Sequence, residues 1–284
     1  MPEGHVIHRL AAELDLAFAG RAVRVTSPQG RFAGAAALLD GTVVRTAEAY
    51  GKHLLIDFGG VPGDPEGSGT EPSAGPFVHI HLGLIGKLRW VRPGPVTGAD
   101  TLRLRIETEA HAAELRGPQT CALIGPAEKA AVLAGLGPDP LRADADPDRG
   151  WQRVRRSGRS IASLLMDQRV AAGVGNIYRA EVLYRQRIHP DTPGNRLSPR
   201  AWRRIWADLV ELMPQGVRHG RIDTVRPEHS PEATGRDPRV DRHGGEVYVY
   251  RRAGQPCLVC GREVSVREFE GRNLYWCGKC QRRR

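Results

Sequence analysis

Four cysteines near the C-terminal end constrain the fold of this chain more than any other feature. They form two Cys-x-x-Cys pairs separated by sixteen residues: Cys257, Cys260, Cys277 and Cys280. Each pair places two thiolates on one tight turn, and two facing turns supply the tetrahedral set of sulfurs that Zn²⁺ favours. Four thiolates leave no open coordination position. The spacing therefore predicts one structural zinc ion per chain, in a module so small that metal binding supplies most of its folding energy.

The cysteine pattern leaves two alternatives to zinc, a pair of redox dithiols and an iron–sulfur site. Residues 263–276, between the pairs, alternate as a β-hairpin would, with Gly271 at the turn, and this favours zinc. Disulfides are disfavoured because the chain shows no secretion signal. Taken alone, such a module predicts binding and not catalysis. The fifth cysteine, Cys121, stands apart and is interpreted as a small buried hydrophobic residue.

No part of the sequence predicts a membrane segment or a signal peptide. No apolar run approaches the roughly 20 residues that a membrane span needs. Charged residues, among them Arg9, Glu13 and Asp15, interrupt the apolar stretch that a signal peptide would need. We therefore expect a protein of the cytoplasm, or of the bacterial nucleoid, without a membrane partner.

The positive charge is concentrated in the second part of the chain. Residues 119–284 contain 30 Lys/Arg and 19 Asp/Glu, whereas residues 1–118 contain 12 and 13. This asymmetry indicates a polyanion partner, with nucleic acid as the first candidate. The alternative is a solvated arginine-rich surface, since 38 of the 42 basic residues are Arg. Charge alone leaves both interpretations open.

The spacing of apolar residues predicts strands in the first part of the chain and helices in the second. Residues 4–18 follow the spacing of an amphipathic helix. Short apolar runs then predict an all-β unit, a sandwich or a barrel, with strands at 22–27, 42–49, 53–58, 77–82, 87–91 and 102–108. After the turn-rich residues 137–140, helices are predicted at 151–156, 161–168, 177–187 and 199–213.

The N-terminal residues can supply a nucleophile. If Met1 is removed, Pro2 carries a secondary α-amine, and an α-amine has a pKa of ~8 against ~10.4 for lysine. The positive end of a helix that starts near residue 4 lowers this pKa further. Such an amine can attack the anomeric carbon of a sugar and form an iminium ion, with Glu3 beside it to transfer protons. Alternatively, Pro2 and Glu3 are only the usual first residues of a helix.

Five motifs together resemble one family from the first residue to the last. They are Met1-Pro2-Glu3-Gly4-His5, Tyr50-Gly51-Lys52-His53-Leu54-Leu55, His81-Leu82-Gly83-Leu84, Leu165-Met166-Asp167-Gln168 through Gly173-Val174-Gly175-Asn176, and the finger ending Trp276-Cys277-x2-Cys280-Gln281. In this combination the chain resembles the formamidopyrimidine-DNA glycosylase/endonuclease VIII family. The opening is most similar to endonuclease VIII-like members of the actinobacterial type.

The resemblance implies an α+β multidomain fold and a DNA substrate. We expect an N-terminal catalytic β-sandwich with flanking helices at 1–118, a helical domain with a helix–two-turn–helix motif at 119–245, and the four-cysteine zinc finger at 246–284. The family binds damaged double-stranded DNA in the cleft between its domains. We further expect a monomeric repair enzyme that is both a DNA glycosylase and an AP lyase.

The resemblance also assigns roles to individual residues. Pro2 matches the nucleophile that forms a Schiff base with the sugar, and Glu3 matches the acid that activates the sugar and transfers protons. Lys52 matches the N-domain lysine that contacts a phosphate and donates a proton in β-elimination. Arg272 matches the finger arginine of phosphate binding and δ-elimination.

Three further residues match DNA contacts of the family. Asn176 matches the asparagine at the start of the second motif helix, where helix N–H groups and its amide hold a phosphate. Leu84 matches the wedge that enters the duplex where the lesion nucleotide is turned out, with Ile85 supporting it; core packing is the alternative. His81, with His79 on the same strand face, is interpreted as a phosphate contact or a packing residue and not as a metal ligand.

Differences from the family pattern bear on which damaged base the protein excises. The formamidopyrimidine branch has Leu-Pro-Glu after Glu3, where this chain has Gly4-His5-Val6, and two residues of the endonuclease VIII pattern are replaced by Gly83 and Gly135. We expect oxidised pyrimidines as substrates, with formamidopyrimidine or 8-oxoguanine specificity as the alternative. A non-catalytic zinc-finger DNA-binding protein, or a zinc-ribbon protein of transcription or translation, would leave the Met-Pro-Glu-Gly start unexplained.

Overall fold

The computed structural model describes residues 2–59, 75–241 and 245–283. The chain folds into two compact units. The first comprises Pro2 and Ile7–Gly135, and the second comprises Glu3–Val6 and the chain from Leu136 onward. Among the described helices, none is both long and apolar enough to cross a membrane.

The first unit contains two antiparallel sheets. Its helices and strands are α1 (Gly4–Phe18, whose first three residues belong to the second unit), β1 (Arg21–Ala22), β2 (Arg24–Thr26), α2 (Ala33–Leu39), β3 (Val43–Tyr50), β4 (His53–Phe58), β5 (Phe77–His81), β6 (Lys87–Val91), β7 (Leu102–Glu107), β8 (Ala112–Arg116), β9 (Thr120–Ile124) and α3 (Pro126–Ala134). The strand orders are β1-β3-β4-β5-β9 and β2-β7-β8-β6. Every pair is antiparallel, as expected for strands joined by short connections.

One apolar core joins the two sheets. Val44 and Leu54 of the first sheet and Leu104 and Leu115 of the second are buried in the same cluster as the apolar stripe of α1. The predicted β-sandwich and its first helix are therefore confirmed. The short elements α2, β8 and β9 were not predicted. In α2 and β8 the reason is that alanine-rich segments carry little of the periodic signal that marks a helix face or a strand.

The second unit is mainly helical. Its elements are α4 (Pro147–Val154), α5 (Ile161–Met166), α6 (Asn176–Arg185), α7 (Pro199–His219), α8 (Pro231–Thr234), β10 (Ser265–Phe269) and β11 (Arg272–Trp276). Serine side chains cap α5 and α7: Ser160 accepts from the N–H of Ser163, and Ser198 from that of Ala201. The four predicted helices are present, and residues from α5, α6 and α7 form a core that continues to the cysteine module.

The predicted end of α7 at residue 213 is wrong. Proline lacks the N–H of a helical hydrogen bond, so Pro214 predicted a stop. The helix instead continues through it to Gly220, whose positive φ of 69° ends the helix. Beyond Pro214, Gly216 lies so close to other parts of the unit that an added Cβ would be 2.5 Å from the Tyr178 hydroxyl. Packing of this last turn outweighs the lost hydrogen bond.

The division between the compact units lies next to the turn-rich residues 137–140, one strand and one helix later than the predicted boundary at residue 118. β9 belongs to the first unit because it pairs with β5, with Phe77 opposite Ile124. The finer division into three domains stays a prediction.

Candidate active site and zinc centre

Glu3 lies at the N-terminus of α6. Its side chain is buried, with 1% of the residue exposed. The carboxylate accepts hydrogen bonds from the backbone N–H groups of Gly175 (3.0 Å), Ile177 (2.7 Å) and Tyr178 (3.4 Å). The first N–H groups of a helix have no partner within it, and the helix dipole favours negative charge there. The second unit thus binds this carboxylate as a helix N-terminus binds an anion.

Glycines make this arrangement possible. A Cβ on Gly175 would lie 2.4 Å from the Glu3 carboxyl carbon, and one on Gly4 would lie 2.9 Å from the Cα of Gly173. The N–H of Gly4 donates to the carbonyl of Gly173 at 2.8 Å. Gln168 braces the same loop: its amide donates to the carbonyl of residue 174 at 3.0 Å and accepts from the N–H of Gly173 at 2.9 Å. Two distant sequence motifs therefore form one packed structure.

Asn176, the first residue of α6, contacts the tip region of the cysteine module. Its side-chain amide donates to the carbonyl of Asn273 at 3.1 Å, and its oxygen accepts from Arg179. Arg179 is buried, and burial together with the nearby charge of Arg272 lowers its pKa to about 10. Asn176 and Arg272, both predicted phosphate contacts, thus belong to one region of the second unit, and Arg179 adds a cation there that sequence reasoning missed.

The hairpin that carries Arg272 has a two-residue turn. Phe269 pairs with Arg272, and the turn residues Glu270 and Gly271 both have positive φ, 49° and 69°. This is the pattern of a type I′ turn, which matches the twist of the two strands. The Glu270 carboxylate accepts from the Ser163 hydroxyl at 2.7 Å and so attaches the turn to α5. The predicted hairpin with Gly271 at its turn is confirmed.

The four cysteines of the second unit form a metal site. The sulfur atoms of Cys257, Cys260, Cys277 and Cys280 all lie within 4.8 Å of one another. The Tyr184 hydroxyl of α6 is 2.9 Å from the Cys257 sulfur. Gln281 accepts from the N–H of Cys277 at 2.9 Å and donates to the carbonyl of Ile188 at 2.8 Å. Four converging thiols braced in this way fit one structural Zn²⁺.

Cys121 has a different environment in the first unit. Burial raises the pKa of its thiol to about 12, so it stays protonated and unreactive. This agrees with its interpretation as a small hydrophobic residue. Pro2, the predicted nucleophile, is half-buried and directly precedes Glu3 in the chain.

Lys52 and three histidines, His53, His79 and His81, lie close together where the β3–β4 hairpin adjoins the last residues of β5. Lys52 follows Gly51 (φ 59°) in the two-residue turn of the β3–β4 hairpin. Nδ1 of His53 lies 2.8 Å from Nε2 of His79, and the rings of His53 and His81 are 5.0 Å apart. Burial, the other two histidines and the Lys52 charge lower the pKa of His53 to about 4. Pairing of β4 with β5 brings His53 to this face, which the sequence did not reveal.

His81 lies at the end of this histidine group, close to the exposed residues that follow β5. Among the described residues, the four cysteines are the one group of His, Cys, Asp and Glu placed closely enough to hold an ion. His81 accepts from the N–H of Gly83 at 3.2 Å through Nδ1. After this turn Leu84 and Ile85 are 65% and 78% exposed. Their exposure removes core packing as an explanation for these two apolar residues.

Family models match three parts of the chain. The formamidopyrimidine-DNA glycosylase N-terminal domain matches residues 1–121, the formamidopyrimidine-DNA glycosylase H2TH domain matches residues 136–226, and a zinc finger found in formamidopyrimidine-DNA glycosylase and isoleucyl-tRNA synthetase matches residues 254–283. The last match agrees with the zinc site formed by the four cysteines.

Curated relatives span the same length. "Endonuclease 8 1" of Mycobacterium tuberculosis is 46% identical over 285 residues, covering 99% of this chain and 100% of the relative. A formamidopyrimidine-DNA glycosylase of Methylococcus capsulatus is 32% identical over 249 residues, covering 86% and 84%.

Solved structures share the fold. The Lactococcus lactis formamidopyrimidine-DNA glycosylase, in a complex with DNA that contains a benzylated formamidopyrimidine, has a TM-score of 0.76 at 22% identity, with 99% and 100% of the two chains covered. The Thermus thermophilus protein has a TM-score of 0.72 at 27% identity, with 99% and 98% covered. With the full-length mycobacterial relative and the three domain matches, these similarities establish that the chain belongs to the formamidopyrimidine-DNA glycosylase/endonuclease VIII family of DNA glycosylases.

Proposed function

We propose that the protein is a bifunctional DNA glycosylase and AP lyase of base excision repair, with the α-amine of Pro2 as its nucleophile. The observation that carries the proposal is the environment of Glu3: a buried carboxylate held by three backbone N–H groups, directly after Pro2 in the chain. A helix cap could be supplied by any exposed Asp or Ser. A carboxylate fixed and desolvated beside a terminal amine suits proton transfer at a sugar bound by that amine.

The reaction begins with the Pro2 amine, set free by removal of Met1. The nitrogen lone pair attacks C1′ of the damaged nucleotide, and the C1′–base bond breaks as the base leaves with its electron pair and a proton. The nitrogen then gives up its N–H proton, the sugar ring opens as its ring oxygen takes a proton, and a C=N⁺ bond forms between C1′ and Pro2. Glu3 is the group assigned to proton transfer at the sugar in these steps.

Strand cleavage follows from the same iminium ion. The ion acidifies the C2′ proton, and loss of that proton expels the 3′ phosphate in a β-elimination. A second elimination can expel the 5′ phosphate. Lys52 is assigned to proton donation in the first elimination, and Arg272 to phosphate binding and the second. Water finally hydrolyses the C=N bond and restores the Pro2 amine.

We propose that further groups hold the DNA. Asn176 and Arg272 contact backbone phosphates, and the cations of Arg179 and Arg272 in the same region support this assignment. His81 contacts a phosphate from the first unit. Leu84 inserts into the duplex beside the extruded nucleotide, and its 65% exposure supports this assignment.

The preferred lesions are oxidised pyrimidines. The full-length similarity to a protein named an endonuclease 8, at 46% identity, favours them over the formamidopyrimidine and 8-oxoguanine lesions of the other branch. The weaker match to a formamidopyrimidine-DNA glycosylase, at 32% identity, keeps those lesions as the second candidate.

Borohydride trapping tests the proposal. The reductant converts the iminium to a stable amine, so a duplex with an abasic site should become covalently linked to the protein. An enzyme with Met1 retained, or with a tag before Pro2, should not be trapped, whereas Pro2→Gly, which keeps a primary amine, should be trapped less. Equal trapping with a blocked amine would exclude Pro2. No trapping with the free amine would leave a non-catalytic zinc-finger DNA-binding protein.

A further inference from the structure

We propose that a second phosphate-binding site, separate from the residues assigned above, lies in a cavity of the second unit and holds the backbone of duplex DNA. The cavity has a volume of about 510 Å³. Four of the six residues that line it are arginines: Gly137, Arg149, Gln152, Arg153, Arg156 and Arg169. This proposal rests on the DNA-binding part of the proposed function.

Close packing of α4 explains why the arginines converge. A Cβ on Gly150 would lie 2.4 Å from the carbonyl oxygen of Val170 and 2.9 Å from the Trp202 ring. Gly150 and Val154 therefore form the buried face of α4. Arg149 and Arg153, one turn apart, lie on the exposed side of the helix that adjoins this face. Arg156 lies just beyond the end of α4, and Arg169 lies in the loop after α5.

The cationic groups of this cavity are largely uncompensated. No carboxylate lines it. Within the described residues, Arg153 and Arg156 make no hydrogen bond or ion pair, and Arg149 donates to one carbonyl, at 3.3 Å. Arg169 is paired with Asp167 at 2.8 Å. Like charges one helical turn apart repel each other, and a bound anion reverses this effect.

The chemistry of the cavity selects phosphate. A guanidinium presents parallel N–H groups that match two oxygens of one phosphate. Several such groups around a concave surface suit a chain of phosphates better than a single carboxylate. Free polyphosphate offers the same chemistry, but the family is one of DNA glycosylases and the second unit contains the H2TH match. The ligand that we propose for the cavity is therefore the phosphodiester backbone of DNA.

The chain offers a matched control for the alternative of an ordinary arginine-rich surface. Arg203 and Arg204 of α7 are exposed, lie outside the cavity and, in the described part of the chain, have no hydrogen-bond or ion-pair partner. Removing this pair changes the net charge by the same two units as removing Arg153 and Arg156. A difference in DNA binding between the two double variants then arises from the cavity and not from the total charge.

The test is the salt dependence of binding to an undamaged duplex. Each phosphate contact contributes about 0.9 to the slope of log K against log salt. Arg153→Ala/Arg156→Ala should reduce the slope by about 2, and Arg203→Ala/Arg204→Ala should reproduce the wild-type slope. Arg153→Lys/Arg156→Lys should recover most of the slope, because the charge is kept. Equal thermal melting of the variants establishes that the fold is unchanged.

Three results would overturn the proposal. The cavity variant could keep the wild-type slope, or both double variants could reduce it equally, which is the result for a diffuse charged surface. Alternatively, inorganic tripolyphosphate could bind in a way that depends on Arg153 and Arg156 while duplex binding does not depend on them. Failure of the proposed function is a separate observation, since wild-type protein would then bind no duplex or show no borohydride trapping.

Discussion

The carboxylate of Glu3 accepts hydrogen bonds from the backbone amides of Gly175, Ile177 and Tyr178. Both oxygens act as acceptors. An amide in place of the carboxylate would turn an N–H group toward one of these N–H donors, at a cost of about 1–3 kcal/mol. The same residue therefore has a structural and a proposed chemical role, and an experiment must separate them.

We expect Glu3→Gln to slow base release by roughly 10²–10⁴-fold, the usual contribution of a general acid–base group. Cleavage at a preformed abasic site should be retained in part, because no base has to leave. Single-turnover excision and abasic-site nicking measure the two steps. Glu109→Gln, at an exposed carboxylate of the first unit, serves as control. If Glu3→Gln, folded by thermal melting, excised bases at the wild-type rate, Glu3 would have no role in base release.

His5 predicts a pH dependence of stability. It is 5% exposed, its ring lies edge-on to Tyr178 at 5.5 Å, and burial lowers its pKa to about 4. An unfolded histidine has a pKa of ~6.5, so below this pH the unfolded chain binds a proton that the folded chain does not. The stability that neutral His5 contributes is complete above about pH 6.5 and is lost as the pH falls toward 4.

Between pH 7 and pH 5 this loss amounts to about 2 kcal/mol for the two pKa values. His5→Asn removes the titrating group. Between pH 7 and pH 5 the free energy of unfolding of this variant should therefore fall by about 2 kcal/mol less than that of the wild type. Urea unfolding at the two pH values measures the difference. His219→Asn, at an exposed histidine, should retain the wild-type loss. An unchanged pH dependence in His5→Asn would contradict the assignment.

At the scale of one element, α6 connects the candidate catalytic and metal sites. Its N-terminus binds Glu3. In its middle the buried carboxylate of Glu181 accepts from three consecutive backbone N–H groups, those of Tyr248 (2.7 Å), Val249 (2.9 Å) and Tyr250 (2.8 Å). Its last turns bring Tyr184 to the cysteine cluster. A single ten-residue helix thus organises most of the second unit.

The zinc module should lose its metal when a ligand or its support is changed. Cys277→Ser should abolish the single bound zinc and, with it, most DNA affinity. Tyr184→Phe removes the hydroxyl that lies 2.9 Å from the Cys257 sulfur, and should weaken zinc binding by about 10- to 100-fold. Metal analysis and competition with a chelator measure both effects. Cys121→Ser should keep full occupancy. A folded, fully active metal-free protein would rule out a structural role for the zinc.

At the scale of the whole molecule, the sequence predicted local features better than distant contacts. The cysteine spacing predicted the zinc site, and apolar periodicity predicted α1 and the longer strands, because these signals lie within a few residues of one another. The bond between Glu3 and residue 177 joins positions 174 apart, and periodicity says nothing of it. Periodicity likewise does not predict the contact of His53 with His79 or that of Glu181 with residues 248–250.

The packing at the start of the chain differs from the formamidopyrimidine pattern, whereas the proposed lesion preference rests on the similarity to an endonuclease 8. Gly4 stands where the formamidopyrimidine branch has Leu, and a Cβ at this position would be 2.9 Å from the Cα of Gly173 and 3.0 Å from the end of the Met213 side chain. The backbone contact is too close for a leucine. The start of the chain is therefore packed in a way that the formamidopyrimidine pattern does not permit, and the residue between it and Pro2 is the proposed acid, Glu3.

We accordingly expect faster excision of thymine glycol than of 8-oxoguanine opposite cytosine. Single-turnover rates on a panel of duplexes, equal in sequence and differing only in the lesion, measure the preference, and a preformed abasic site in the same duplex controls for DNA binding and for the elimination step. If all lesion duplexes are cut slowly while the abasic duplex is cut fast, base release limits the rate for every lesion tested. The order of preference among the lesions is then given by the amount of product formed from each. Rapid excision of 8-oxoguanine opposite cytosine with thymine glycol left intact would assign the protein to the formamidopyrimidine type, because the abasic control excludes a defect in binding or lyase chemistry as the cause.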